Sequence, residues 1–360
     1  SGWQTIFNLE KQAITSKLIN ATRSSGRYEE AESLYLKCIN LCQKMARDGT
    51  RRIDALDQLG ITALNLGNLM MVQKRYEEAQ SPYQRAAETF NELERDFPRV
   101  VRYQERAARA LMGLGLVQRN SDKPVSAEKS YRQAIAKFEA MDRAHGLTPA
   151  SIDVLAACYN NLGNVHVDAE NIEEGLVAFQ RAITLRQRLT EVPYPMPTAR
   201  YGLHRAQGNY ANAYQKLHDW DRAHELLVAV FEDQRALVQD HPGNRSFESH
   251  ALWLFARIAD GLRATSRGEE LPPFADELTQ LLPQRPDAPA QVAYHLALTA
   301  GDLDDPETEA ERELKDQLAQ RAIAGLEAAL QLGWQPEDPL AEEDAFQVLQ
   351  QYDEFHALID

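Results

Sequence analysis

The sequence predicts an all-α protein, an α-solenoid of antiparallel helical hairpins. Three observations carry this. A short motif recurs every 48 residues, small and large apolar side chains around it keep helical spacing, and Gly and Pro collect between the units. Gly26-Arg27-Tyr28-Glu29-Glu30-Ala31 returns as Lys74-Arg75-Tyr76-Glu77-Glu78-Ala79. With the alanine as marker, the series runs Ala31, Ala79, Ala127, Gly175, Ala223. Four residues on stand Tyr35, Tyr83, Tyr131, Phe179 and Leu227; three further come Cys38, Ala86, Ala134, Ala182 and Val230. Upstream, Leu66-Gly67 recurs as Leu114-Gly115, Leu162-Gly163 and Tyr210-Ala211.

Each element follows from this spacing. Small–x3–aromatic–x2–small puts all three side chains on one face of a helix. The small residues admit a neighbouring helix and the aromatic fills the gap beside it. A unit therefore reads as two helices, for example 58–73 and 76–95, and a lone hairpin cannot bury its apolar face, so hairpins stack. Glu29/Glu30, Glu77/Glu78 and Glu173/Glu174 open the second helices, where carboxylates complement the macrodipole. Pro98, Gly146 with Pro149, Pro193, Pro195 and Pro242 mark the turns between units, after a lengthened second helix. Residues 3–245 are expected to hold five regular hairpins and 246–290 an irregular sixth repeat with a Pro-rich linker. There Pro272, Pro273, Pro283, Pro286 and Pro289 are expected to break helices. Residues 291–360 are expected to form an acidic helical cap that covers the last repeat.

These positions resemble the tetratricopeptide repeat, with Leu66, Gly67, Ala79, Tyr83 and Ala86 at its signature places. The unit is longer than the family's basic 34 residues. Elongated units of this kind look like those of kinesin light chain and, more closely, the repeat regions of planctomycete proteins that follow a serine/threonine kinase domain. The resemblance implies a right-handed superhelix whose first helices line a concave groove, with asparagines there clasping the backbone of a bound peptide.

Charge narrows the function classes. The net charge is −15, yet residues 301–360 carry 17 acids against Arg312, Lys315 and Arg321, leaving the rest near neutral. A chain without excess Lys and Arg is not expected to bind nucleic acid. Cys38, Cys42 and Cys158 supply neither a disulfide framework nor a CxxC zinc pair, and no run of 18 apolar residues is expected to enter a membrane. The nine histidines show no HExxH and no i, i+4 pair. Gly-rich phosphate loops and the motifs of a kinase are missing from the sequence. We therefore expect no enzyme activity, no metal and no cofactor. The opening Ser1-Gly2-Trp3 reads as a cloning scar on a fragment of a longer protein. The chain is expected in the cytoplasm, or outside it as part of a membrane-anchored parent.

One polar pattern stands out. Asn20, Asn68, Asn164 and Asn212 keep the register of the repeat, broken by Leu116; Asn65, Asn161 and Asn209 form a second row, broken by Gly113. The rows are i, i+3 on the first helices and share a face. Asparagine is a poor residue in a helix interior, so its recurrence requires a role. Either the amides read an extended peptide backbone, as donor and acceptor at once, or they bridge neighbouring helices. Arg119, Arg205 and Lys216, with Arg109, Arg257 and Arg263, are expected near the same face and would favour an acidic protein or peptide partner. Two further expectations are a sensory role within a larger kinase-linked protein and end-to-end self-assembly into a homo-oligomer.

Overall fold

A computed structural model describes residues 27–49, 51–192, 195–303, 306, 308–336 and 338–359. Two compact units divide the chain, Ser1–Leu189 and Thr190–Asp360. Among the described residues every regular element is helical. In the first unit α1 (Tyr28–Arg47) is followed by α2 (Arg52–Val72) with α3 (Tyr76–Asp96), α4 (Val101–Asn120) with α5 (Pro124–His145), and α6 (Pro149–Asp168) with α7 (Ile172–Thr190). The second unit holds α8 (Pro197–Lys216) with α9 (Trp220–Asp240), α10 (Arg245–Ala264) with α11 (Leu271–Leu281), and α12 (Asp287–Gly301) with α13 (Glu309–Gln331). Two short 3-10 segments and α14 (Asp353–Ile359) follow.

The length beyond a basic repeat is shared by both helices of a hairpin rather than taken up by the second. α2 begins six residues before the expected Gln58 and runs 21 residues, as does α3. The reason lies in the breakers, which sit immediately ahead of each first helix: Pro149 and Pro197 occupy the opening turns of α6 and α8, where a missing N–H costs nothing.

Four hairpins turn through the same three-residue loop, and the α10–α11 connection opens in the same way. Lys74, Asp122, Glu170, His218 and Ser266, one in each of these five, adopt positive φ between 55° and 62°. At each, two N–H groups return to the end of the first helix, as Lys74 N to Met71 O (3.0 Å) and Arg75 N to Met70 O (2.9 Å). This is a Schellman closure made without glycine. His218 is thus a turn residue, as its register requires.

The core is an interlock of glycine and ring. A Cβ on Gly67 would lie 2.9 Å from the Tyr83 ring, one on Gly115 2.7 Å from Tyr131, and one on Gly163 2.6 Å from Phe179. In each case the ring of the second helix lies against the backbone of its own first helix. Ala79, Ala127, Ala223, Ala86, Ala134 and Ala182 are fully buried, as helix contacts of this closeness demand. Cys38, Cys42 and Cys158 are buried and form no disulfide, and burial pushes the Cys158 thiol up to about 12.

Three of the prolines expected to break helices begin them instead, while Pro283 lies in the turn between α11 and α12. Pro272 and Pro273 lie in the first turn of α11, and Pro289 in that of α12. α13 starts at a capping box, Thr308 with Glu311. Phe346, Leu349 and Phe355 of the closing segment are at most 4% exposed and join the core of this unit.

Candidate interaction faces

First helices pack beside first helices within each unit, α2 with α4 and α4 with α6 in one, α8 with α10 and α10 with α12 in the other. The asparagine rows lie on these helices. In the first unit Asn65, Asn161 and Asn164 are half-buried and make no side-chain hydrogen bond. Asn68 differs: the Tyr83 hydroxyl donates to its Oδ1 at 2.6 Å, tying α3 to α2. Asn209 and Asn212 are half-buried on α8 in the second unit, and Asn209 is engaged within the structure. Asn20 lies outside the described residues.

The two lapses in the rows have structural causes. Gly113 stands where an asparagine would fall because Tyr83 of the preceding hairpin occupies that space; a Cβ there would sit 2.3 Å from its ring. Leu116 replaces the acceptor that Asn68 provides to Tyr83, and the corresponding hydroxyl, on Tyr131, is buried without a hydrogen-bond partner. At the third place the ring is Phe179, which has no hydroxyl to satisfy, so Asn164 stays unclaimed.

The basic residues divide. Arg119 donates to Asp168 (2.8 Å), joining α4 to α6. Arg109 pairs with Glu105 (2.9 Å), Arg257 with Asp260 (2.7 Å) and Arg263 with Asp302 (2.7 Å). These four are neutralised within the fold. Lys216 is exposed, and so is Arg205, whose guanidinium lies 5.7 Å from the Tyr201 ring centre.

A buried polar line and an aromatic stack on the second unit escaped sequence reading. Gln234 Nε2 donates to Phe247 O (2.7 Å), which leaves its Oε1 to accept from His204 Nδ1 (2.8 Å). His250 stacks on Trp253 at 5.6 Å and 14° between planes. Trp253 in turn covers Gly208, where a Cβ would lie 2.9 Å from its ring. Burial pushes the His250 pKa down to about 3, beyond what the His204 carbonyl that accepts from it restores. The signal available in the sequence was Gly208 in a first helix, a position that marks close approach by a large neighbour. Among the described residues no cluster of three His, Cys, Asp or Glu is placed to hold a metal ion, and no helix is long and apolar enough to cross a membrane.

Comparison with known proteins agrees with the architecture. A family model for the tetratricopeptide repeat matches residues 155–191, which cover most of α6 and all of α7. No curated protein matches the chain by sequence. BtubC (BKLC) from P. vanneervenii is 15% identical with a TM-score of 0.53, over 72% of this chain and 91% of that one. RapI in its apo form is 12% identical, TM-score 0.52, over 76% and 94%. The Signal Transduction ATPase with Numerous Domains protein PH0952 from Pyrococcus horikoshii, which has a tetratricopeptide repeat sensor, is 13% identical, TM-score 0.54, over 91% and 48%. With the repeat match and the stacked pairs of helices, these likenesses identify the fold as an all-α solenoid of tetratricopeptide-type helical hairpins.

Proposed function

We propose that the chain is a protein-interaction scaffold, not an enzyme, built of 48-residue units, and that it holds an extended partner segment along its first helices. The observation that carries this is the state of Asn65, Asn161 and Asn164. Asn65 on α2 and Asn161 and Asn164 on α6 are half-buried amides at register-equivalent places of two first helices, and none makes a side-chain hydrogen bond among the described residues. An amide in that setting loses little by giving its water to a peptide backbone, and each such bond nets roughly 0.5–1.5 kcal/mol. Asn68 is a strut to Tyr83, with capacity left on its NH2 group. Arg205 and Lys216 are the charges of the expected set that remain open to a partner.

The test is Asn65→Ala/Asn161→Ala/Asn164→Ala, with affinity for a partner captured by the wild-type chain read beside melting temperature. Alanine is the better helix former, so melting should hold or rise. Affinity should fall about 10- to 1000-fold, the sum of three such bonds. Unchanged affinity rejects the clasp; a collapse in melting temperature makes the asparagines helix bridges. The sensor of the PH0952 protein and the likeness of the repeats to planctomycete kinase-linked arrays support a second reading, a regulatory part of a larger signalling protein.

A further inference from the structure

In the second unit a pocket of about 480 Å³ opens between α10, α12 and the chain leaving α13. Its outer wall is set by a backbone reversal. Gly333 takes φ +86°, its N–H donates to Leu330 O (2.9 Å), and Trp334 N donates to Ala329 O (2.9 Å). That glycine closure ends α13 and turns the chain back toward α12. Trp334 and Tyr294 are partly exposed in the pocket lining, and Phe346 lies beneath, edge-on to Tyr294 at 6.2 Å and 84°. His295, 7% exposed, also lines the pocket; its Nδ1 makes no hydrogen bond and lies 3.9 Å from the Asp260 carboxylate of α10. Burial holds that imidazole down to about 4, so it is neutral at pH 7.

The charges in the lining are all negative. Asp287, Asp338 and Glu343 contribute carboxylates, and neither Lys nor Arg takes part. Asp287 is already held by Arg285 at 2.7 and 2.9 Å. Asp338 and Glu343 pair with no cation among the described residues. Three aromatic rings with negative faces and two uncompensated carboxylates favour a cation, and an acidic or purely apolar group would leave the carboxylates unpaired.

We infer that this pocket receives the cationic side chain, lysine or arginine, of a partner segment lying on the first helices α10 and α12. The inference rests on the peptide-binding reading given above and adds the chemistry of one residue of that peptide. It makes one residue of that segment cationic beside α10 and α12, while Arg205 and Lys216 on α8 remain open to acidic groups elsewhere on the partner.

The test uses the full chain and short probes, acetyl-Gly-Lys-Gly-amide with its arginine and norleucine counterparts. Binding is followed on the indole N–H signals of the four tryptophans, that of Trp334 assigned with Trp334→Phe. The lysine and arginine probes should move the Trp334 signal saturably, and norleucine should bind about ten-fold more weakly, the scale of one desolvated cation–aromatic contact. Asp338→Asn/Glu343→Gln should lose about ten-fold for the lysine probe at an unchanged melting temperature. If that pair perturbs folding, Asp338→Asn alone, at an exposed residue, makes the same comparison. Equal response to lysine and norleucine, an unmoved Trp334 signal, or wild-type affinity in the folded carboxylate variant overturns the assignment. The tripeptide signal is read at Trp334 alone and the scaffold reading rests on the asparagines of α2 and α6, so such a failure leaves that reading standing, and it falls only on its own alanine variants.

Discussion

One substitution should act with opposite sign at two equivalent residues. Tyr83→Phe removes a hydroxyl that donates to Asn68 at 2.6 Å. Asn68 is exposed, so water takes over its Oδ1 and the loss is one net hydrogen bond, about 0.5–1.5 kcal/mol. Tyr131→Phe removes a hydroxyl that is buried with no partner, in a side chain with 0% exposure. Such a group carries a desolvation penalty of about 1–3 kcal/mol, which the substitution relieves. Both rings stay in place against Gly67 and Gly115, so the packing terms cancel in the comparison. Phe179 at the next equivalent place shows that the fold accepts a ring without a hydroxyl. The two variants should therefore differ by about 2–4 kcal/mol, Tyr131→Phe above wild type and Tyr83→Phe below it. Urea unfolding followed by far-ultraviolet circular dichroism measures this, since Trp220, Trp253 and Trp334 all report on the other unit. Shifts of the same sign and size in both variants would refute the account of the Leu116 lapse.

Ala79→Arg and Ala134→Arg each force a long charged side chain into a contact with 0% exposure, and both should lose more than about 3 kcal/mol in thermal or urea melts. Melting like wild type would mean the register is wrong. His250 and His295 are buried neutral with pKa values near 3 and 4, against about 6.5 unfolded. Their contribution is complete above pH 6.5 and drains as pH falls toward those values, because only the unfolded chain takes up the proton. Each should remove about 2 kcal/mol by pH 5 at about 1.36 kcal/mol per unit. Tryptophan-detected urea midpoints at pH 7 and 5 check this, and His250→Phe should shrink the difference, with burial also holding His204 and His224 down. Lys74→Gly/Asp122→Gly/Glu170→Gly relieves three left-handed side-chain residues. Strain of about 1–2 kcal/mol per site exceeds the entropy cost of glycine, so the triple variant should melt higher by about 1–2 kcal/mol in total.

The regular hairpins were legible because their constraints are local and repeated. Ala79, Tyr83 and Ala86 declare one helix face by spacing alone, and the same face recurs in register. The prolines of 266–290 misled for a local reason as well: proline forbids a helix interior and favours a first turn, and composition does not say which applies. Trp334, Asp338 and Glu343 carried no readable signal, since the pocket they line exists only once Gly333 reverses the chain.

The sequence by itself determined the all-α class, the register of the hairpins and the placement of the asparagine rows on first helices. All of these follow from side-chain spacing within a turn or two of chain. Tertiary structure alone decided which polar groups are already spent. The Oδ1 of Asn68 is taken by Tyr83 and Arg119 by Asp168, while Asn161, Asn164 and Glu343 are left open, and nothing in their local sequence distinguishes the two sets. The physical reason is that hydrogen-bond and charge partners are chosen across helices 15 to 49 residues apart, where a ring, a glycine or a carboxylate from another hairpin either takes the group or leaves it to a partner.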